Sequence, residues 1–121
     1  MTSFIRTIER RESPDYVDEI LSRSDHFIPL RFRPLQARPG DYICIAYGGR
    51  IIGCATIARI AVCDRPVFIG RPPRPYPAKW LVHYRGGWSK PSSPIPFRGS
   101  QGIRYVDTVG LAHLDAEKWP P

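Results

Sequence analysis

DYICIAYGGRIIGCATIARIAV, residues 41–62, is the clearest structural signal in the chain. Two runs rich in isoleucine flank Gly48-Gly49, and a glycine pair between two such runs is typical of a tight β-hairpin. Gly53 interrupts the second run, which indicates a β-bulge or a close approach of another backbone segment. The hairpin should place the following isoleucines in or near the core: Ile43, Ile45, Ile51, Ile52, Ile57 and Ile60.

One strand and one short helix are predicted before this hairpin. FIRTI, residues 4–8, predicts an opening strand, and a charged turn follows it. Ser13 suits the N-cap position because its side chain can accept a hydrogen bond from the first helical turn, and Pro14 suits the first helical position. Apolar residues then recur at helical spacing, so we expect a helix over residues 14–22 that packs one face on a sheet.

A further strand is predicted between the helix and the hairpin. HFIPLRFRPL, residues 26–35, alternates apolar and basic side chains, which is typical of a strand. Pro29 and Pro34 cannot donate backbone hydrogen bonds to a neighbouring strand. We therefore expect this strand at the edge of the sheet or at a bulge.

The character of the chain changes after the hairpin. Eight of the 14 prolines fall within residues 64–102, and such a stretch cannot form a long helix or a central strand. KWLVHY, residues 79–84, is the one plausible strand in it, and we expect the remainder to be a long loop or insertion. GIRYVDTVGL, residues 102–111, predicts the closing strand, and residues 112–119 predict a last helical turn.

Length and composition indicate one intracellular domain. A chain of 121 residues with 42% hydrophobic residues is of the usual size for a single core. The sequence contains no run of about 18 apolar residues that would span a bilayer, and it becomes charged too early for a secretory signal. We expect a cytoplasmic protein with no membrane partner, and the oligomeric state stays open.

The cysteines indicate neither a disulfide framework nor a metal site. Cys44, Cys54 and Cys63 are odd in number and lack the close paired spacing of a zinc knuckle. Their neighbours are apolar, so we expect small buried side chains. The three histidines have no ligand-like spacing either, and we predict no metal and no cofactor.

The net charge of +7 is distributed unevenly along the chain. Residues 1–64 carry nine basic and eight acidic side chains, whereas residues 65–106 carry eight basic side chains and no acidic one. A positive potential that no nearby carboxylate cancels favours a polyanionic partner. The distribution therefore indicates an anion-binding surface in the proline-rich part of the chain.

Three of these features resemble the opening of ASCH and related PUA-like domains: the helix SPDYVDEIL, the basic strand that ends in LRF, and the hairpin that begins with PGD. The resemblance covers about residues 13–61. It implies a single PUA-like domain of the ASCH or EVE type over residues 1–121, with a basic, proline-rich insertion at about 64–102. The implied fold is α+β and β-rich: a small, mixed, open β-barrel with one or two flanking helices.

PUA-like domains, among them the YTH domains, mostly bind nucleic acid in a basic cleft lined by aromatic side chains. The resemblance therefore implies a non-catalytic domain whose partner is RNA or a modified base in single-stranded nucleic acid. Aromatic faces stack on bases at about 1–3 kcal/mol each. Trp88 follows Gly86-Gly87 in a polar stretch, where we expect it to lie on the ligand surface. The predicted nucleic-acid-binding residues are Arg31, Arg33, Lys79, Trp80, His83, Tyr84, Arg85, Trp88, Ser89, Lys90 and Arg98.

An enzyme that acts on a nucleoside or RNA, such as an amidohydrolase or a nuclease, is the first alternative. Some ASCH proteins are similar to amidohydrolases that use Lys, Thr and Glu side chains around the helix-to-strand turn. Residues 22–32 contain no Lys, and Pro29 stands where the family motif has Glu. We therefore predict no catalytic residue. Asp25 with His26, or Asp107 with Tyr105, would have to supply an acid/base pair.

A protein-interaction module is the second alternative. PPRPYP, residues 72–77, is rich enough in proline to form a polyproline helix. Such a helix would suit an aromatic groove on a partner protein.

Overall fold

A computed structural model describes residues 2–91, 95–98, 103–107 and 117–118 of the chain. One helix and ten strands are present in this part. The helix is α1 (Pro14–Leu21). The strands are β1 (Thr2–Thr7), β2 (Phe27–Leu30), β3 (Tyr42–Tyr47), β4 (Arg50–Val62), β5 (Phe68–Ile69), β6 (Arg74–Pro75), β7 (Trp80–Lys90), β8 (Ile95–Pro96), β9 (Ile103–Asp107) and β10 (Glu117–Lys118).

The strands form one strongly curled, open half-barrel and one small hairpin. The main path through the large sheet is β10-β7-β4-β3-β1-β9, while β2 pairs with β7 and β8 pairs with β4. Strands β1 and β3 are parallel and the other pairs are antiparallel, so the sheet is mixed. This architecture confirms the predicted fold class of a small α+β open barrel. Strand β2 has no second neighbour among the described strands, as the prolines in its sequence predicted.

The hairpin of β3 and β4 forms as expected. Gly48 and Gly49 adopt φ values of +64° and +81°, which only glycine reaches without steric cost and which the twist of a two-residue hairpin turn requires. Ile45 pairs with Gly53, whereas Ala46 pairs with Ile51, so one extra residue lies in β4 next to Gly53. The predicted β-bulge is therefore confirmed.

Helix α1 begins where Ser13 and Pro14 predict and ends one residue before the predicted boundary. The Ser13 hydroxyl accepts a hydrogen bond from the Tyr16 N–H at 3.2 Å, and Pro14 occupies the first turn. After Leu21, the Ser22 hydroxyl donates to the Glu19 carbonyl at 2.7 Å. The helix buries one face, formed by Val17, Ile20 and Leu21, against the concave side of the sheet.

The core has two parts, one on each side of the sheet. The larger part fills the half-barrel between the sheet and α1, and the smaller part covers the opposite side of β1, β3 and β4. Ile43, Ile45, Ile51 and Ile57 are fully or almost fully buried. Ile52 and Ile60 are partly buried against the larger cluster, so all six isoleucines lie in or near the core as predicted.

The expectation that the chain has no disulfide is wrong for two of its cysteines. Cys44 and Cys54 face each other across β3 and β4 with their Cα atoms 4.0 Å apart, and they form a disulfide inside the smaller core cluster. Hairpin register, rather than any short cysteine motif, brings the two thiols together. Cys63 is the free cysteine.

The proline-rich stretch is also more regular than predicted. Strand β7 does not end at residue 84 but continues to Lys90, and residues 68–75 contain the β5–β6 hairpin. Backbone hydrogen bonds from two neighbouring strands, β2 and β4, stabilise β7. The closing strand is present as β9. The helical turn expected over residues 112–119 lies mostly outside the described residues, and Glu117–Lys118 form a short strand instead.

Candidate functional site

Two of the predicted nucleic-acid-binding residues are core residues. Tyr84 is 2% exposed and Trp88 is 0% exposed, and their ring centroids lie 4.8 Å apart. The expectation that Trp88 lies on a ligand surface is therefore wrong, and the same burial removes Tyr84 from any surface.

A bulge in β7 explains why Trp88 points inward. Between the pairs Thr56–Arg85 and Cys54–Ser89, strand β4 advances by two residues and strand β7 by four. The two extra residues fall at the Gly86-Gly87 pair, where Gly86 adopts a φ of +66°. Because two residues are inserted, the in–out alternation of the strand is preserved. Trp88 consequently points to the same side as Tyr84.

The structure does not gather the remaining predicted residues into one cleft. Lys79 donates its backbone N–H to the Leu30 carbonyl at 2.8 Å, which brings the start of β7 next to the segment after β2. This end holds Arg31, Arg33, Lys79 and Trp80, with the Arg33 guanidinium carbon 5.1 Å from the Trp80 ring centroid. The other predicted residues are His83 in the middle of β7, Arg85, Ser89 and Lys90 towards its end, and Arg98 after β8.

A groove of about 760 Å³ opens beside the first of these groups. The end of β1 and the loop after it form one wall. The β5–β6 hairpin and the two residues after it, together called the 68–77 hairpin, form another. Apolar side chains of α1, β2 and β3 lie at its base, among them Ile20, Ile28 and Ile45. We call it the arginine groove, because its lining includes Arg6, Arg10, Arg11, Arg31 and Arg74.

Tyr76 is the aromatic residue that lies between arginines in this groove. The Arg6 guanidinium carbon is 5.7 Å from the Tyr76 ring centroid, and the Arg31 guanidinium carbon is 5.4 Å from it. Arg6 also donates a hydrogen bond to the Tyr76 hydroxyl at 3.1 Å. Phe32, which is 72% exposed, lines the groove as well. Aromatic and cationic groups are therefore interleaved along it.

The groove has an excess of positive charge. Glu9 pairs with Arg11 at 2.5 Å, and Glu12 pairs with Arg74 at 2.5 Å. Within residues 2–91 and the other described segments, Arg6, Arg10 and Arg31 have no carboxylate partner. These three guanidinium groups are left to attract an anion.

Ion pairs hold the 68–77 hairpin against the helical side of the groove. Arg71 donates two hydrogen bonds to one carboxylate oxygen of Glu19, at 3.0 Å and 2.6 Å, and Arg74 contacts Glu12. The Arg71 guanidinium thereby lowers the pKa of the Glu19 carboxyl. Gly70, at a φ of +86°, leaves room for Arg74, because a Cβ atom there would collide with the Arg74 guanidinium. Residues 72–77 (PPRPYP) contribute part of the turn and the second strand, β6, to this hairpin.

The sequence interpretation missed most of this groove. Arg6 belongs to the opening strand and Tyr76 to the stretch interpreted as a polyproline motif, 70 residues apart. No local pattern links them, because β1 and the β5–β6 hairpin meet only in the folded molecule. Arg31 is the one predicted residue that lines the groove.

The structure gives little support to the acid/base pairs that an enzyme would need, Asp25 with His26 or Asp107 with Tyr105. The Asp25 carboxylate accepts a hydrogen bond from the Gly86 N–H at 2.7 Å, which gives it a structural role in the β7 bulge. Tyr105 accepts a long hydrogen bond from the Gln36 N–H, at 3.4 Å.

Among the residues whose placement is described, no group of three or more His, Cys, Asp or Glu side chains could hold a metal ion. No helix in that part of the chain is long and apolar enough to cross a membrane.

Comparisons with known proteins give no match. No family model, no curated protein and no solved structure matches the chain.

Proposed function

We propose that the protein binds single-stranded nucleic acid in the arginine groove, either RNA or a single strand that carries a modified base. The observation that carries the proposal is the Tyr76 ring between Arg6 and Arg31 in a groove with unpaired positive charge. The resemblance of residues 13–61 to PUA-like domains supports the same class of partner.

The chemistry of a nucleotide matches the groups in the groove. Guanidinium groups bind phosphate through charge-assisted hydrogen bonds, and Arg6, Arg10 and Arg31 have no competing carboxylate within the described residues. A base can stack on an exposed aromatic or guanidinium face. Phe32 is an exposed aromatic residue, and the guanidinium groups of Arg6 and Arg31 lie beside the half-buried Tyr76 ring, so a base and its phosphates could be bound together.

The size of the groove agrees with a ligand of a few nucleotides at most. Sites that enclose small ligands have volumes of about 300–1,000 Å³. The groove measures about 760 Å³ and is open to solvent along one side. An unpaired strand can place a splayed base in such a groove. In a duplex the bases are stacked in the interior of the double helix and cannot enter the groove.

The proposal is tested by fluorescence anisotropy with labelled 12-nucleotide RNA and DNA strands and with the matching duplex. Tyr76→Leu removes the ring that holds Arg6 and Arg31 in the groove, and it should raise the Kd for the single strands about 5- to 150-fold, which corresponds to about 1–3 kcal/mol. Tyr76→Phe keeps the ring and should bind almost as the wild type does. Arg31→Gln should lower the slope of log K against log salt by about one.

Arg38→Gln is the matched control, because Arg38 is exposed in the turn before β3, outside the groove. It should leave the affinity within about twofold and the salt slope almost unchanged, since distant surface charges are screened. Equal loss of affinity in Arg31→Gln and Arg38→Gln would show binding by general positive charge and would contradict a specific groove. An affinity that does not change with salt would contradict phosphate recognition altogether.

A further inference from the structure

A row of three side chains crosses the outer face of the sheet, on the side opposite α1. Phe27 of β2 pairs with His83 of β7, and His83 pairs with Arg59 of β4. Directly opposed residues in neighbouring strands point to the same side of a sheet. The next residue along β7, Tyr84, is buried in the core, so this row must point outward. Phe27 and His83 are half-buried and Arg59 is exposed.

Two more side chains extend this row into an aromatic and cationic surface. The His26 ring stacks on Phe27 with centroids 4.5 Å apart, and Phe27 meets His83 edge-on at 5.8 Å. The Arg65 guanidinium carbon lies 5.6 Å from the Phe27 ring centroid. We call these five residues the histidine face: His26, Phe27, Arg59, Arg65 and His83.

The charges around this face favour an anionic partner. Asp64 forms an ion pair with Arg65 at 2.9 Å, and the Asp25 carboxylate is bonded to the Gly86 N–H. Arg59 has no carboxylate partner among the residues that the structure describes, and the same holds for Arg85, the next residue on this side of β7. Two guanidinium groups therefore remain beside two imidazoles and a phenyl ring.

From this arrangement we infer that the histidine face is a second contact surface for single-stranded nucleic acid, separate from the arginine groove. Phe27 and the imidazoles stack with bases, while Arg59, together with Arg85 beside the face, contacts phosphates. The inference rests on the proposed function for the class of ligand, but not on the groove residues. A strand that occupies both surfaces must be longer than one that fills the groove, and single-strand sites typically span about 4–16 nucleotides.

The two histidines make this surface sensitive to pH. Burial lowers the pKa of His83, and Arg59 and Arg65 lower it further, while Asp64 acts in the opposite direction. Burial also lowers the pKa of His26, with contributions from Arg23, His83 and Arg65. Both imidazoles are therefore neutral at pH 7. A bound phosphate favours their charged forms, so binding through this face should strengthen as the pH falls below about 6.5.

The test compares labelled oligothymidylates of 4 and 16 nucleotides by fluorescence anisotropy. Phe27→Leu retains an apolar side chain but removes the ring, and it should weaken binding of the 16-mer about 5- to 150-fold. Arg59→Gln should lower the salt slope for the 16-mer by about one. Neither variant should change binding of the 4-mer by more than about twofold, and Arg38→Gln again serves as the control. Circular dichroism melting verifies that each variant is folded.

The outcomes separate this inference from the proposed function. If Arg31→Gln and Tyr76→Leu weaken binding of both oligonucleotides while the histidine-face variants bind as the wild type does, the groove stands and the second surface is refuted. If only the histidine-face variants lose affinity, the second surface stands and the groove is refuted. The histidine face is supported if the wild-type protein binds the 16-mer more tightly at pH 5.5 than at pH 7.5 and the double variant His26→Gln with His83→Gln does not. Absence of binding to either oligonucleotide would overturn both ideas.

Discussion

Trp88 contributes its whole side chain to the main core, where it packs on Tyr84. Replacing a buried tryptophan by alanine removes these contacts and leaves a cavity, which typically costs about 3–5 kcal/mol. We therefore expect Trp88→Ala to lower the free energy of unfolding by about that amount, measured by urea denaturation with far-ultraviolet circular dichroism.

Trp80→Ala provides the comparison for this measurement, because Trp80 is only half-buried at the other end of β7. Its truncation should cost clearly less stability than that of Trp88. A Trp88→Ala variant with an unchanged unfolding midpoint and a lost affinity for oligonucleotides would contradict the buried position and restore Trp88 to a binding surface.

At the scale of elements, the β3–β4 hairpin carries the disulfide that the sequence interpretation missed. Cys44 and Cys54 are buried at 0% and 2% exposure, and Cys63 is the free thiol. We expect the denatured, unreduced protein to take up one alkylating label and the denatured, reduced protein to take up three, as counted by mass spectrometry. The chain contains only these three cysteines, so the count is unambiguous.

Cys63→Ser is the matched control for the labelling experiment. The denatured, unreduced variant should take up no label and the reduced variant should take up two. Three labels on the wild-type protein without reduction would show that Cys44 and Cys54 are thiols, as the sequence interpretation expected.

At the scale of the whole molecule, the histidine face predicts how stability depends on pH. The folded protein holds His26 and His83 at pKa values below the ordinary 6.5, mainly because they are partly buried. The unfolded chain therefore binds more protons than the folded chain just below pH 6.5. This contribution to stability is complete above about pH 6.5 and is lost as the pH falls through the folded pKa values.

We expect the Tm to decrease between pH 7.5 and pH 5.5, and the decrease should become smaller in a variant with His26→Gln and His83→Gln. The pKa values of Glu19 and Asp64 are lowered by their arginine partners, so their contributions are lost at more acidic pH, below about 4.5. Thermal melts followed by circular dichroism at half-unit pH steps separate the two ranges. An identical pH profile for the wild-type protein and the double variant would contradict the histidine contribution.

Several elements could be predicted from the amino-acid sequence because their signals are local. The Gly48-Gly49 turn, the bulge beside Gly53 and the capped helix α1 depend on backbone conformation and hydrogen bonds within a few residues. Residue types and their spacing report those interactions directly. For the same reason the edge position of β2 and the six core isoleucines could be predicted, since they follow from a missing backbone donor and from alternation. The α+β open barrel was implied by the resemblance to PUA-like domains.

The contacts between side chains from distant parts of the chain could not be predicted in the same way, because they form only in the folded molecule. The inward direction of Trp88 depends on a two-residue bulge that is defined by pairing with β4, and the Cys44–Cys54 bond depends on hairpin register. Arg6 and Tyr76 come together from positions 70 residues apart, and Phe27, His83 and Arg59 meet through three strands. These contacts follow from register and curvature of the sheet. A shift of one residue would send every side chain of a strand to the other face, and at these contacts the register depends on pairing between strands that are distant in the sequence.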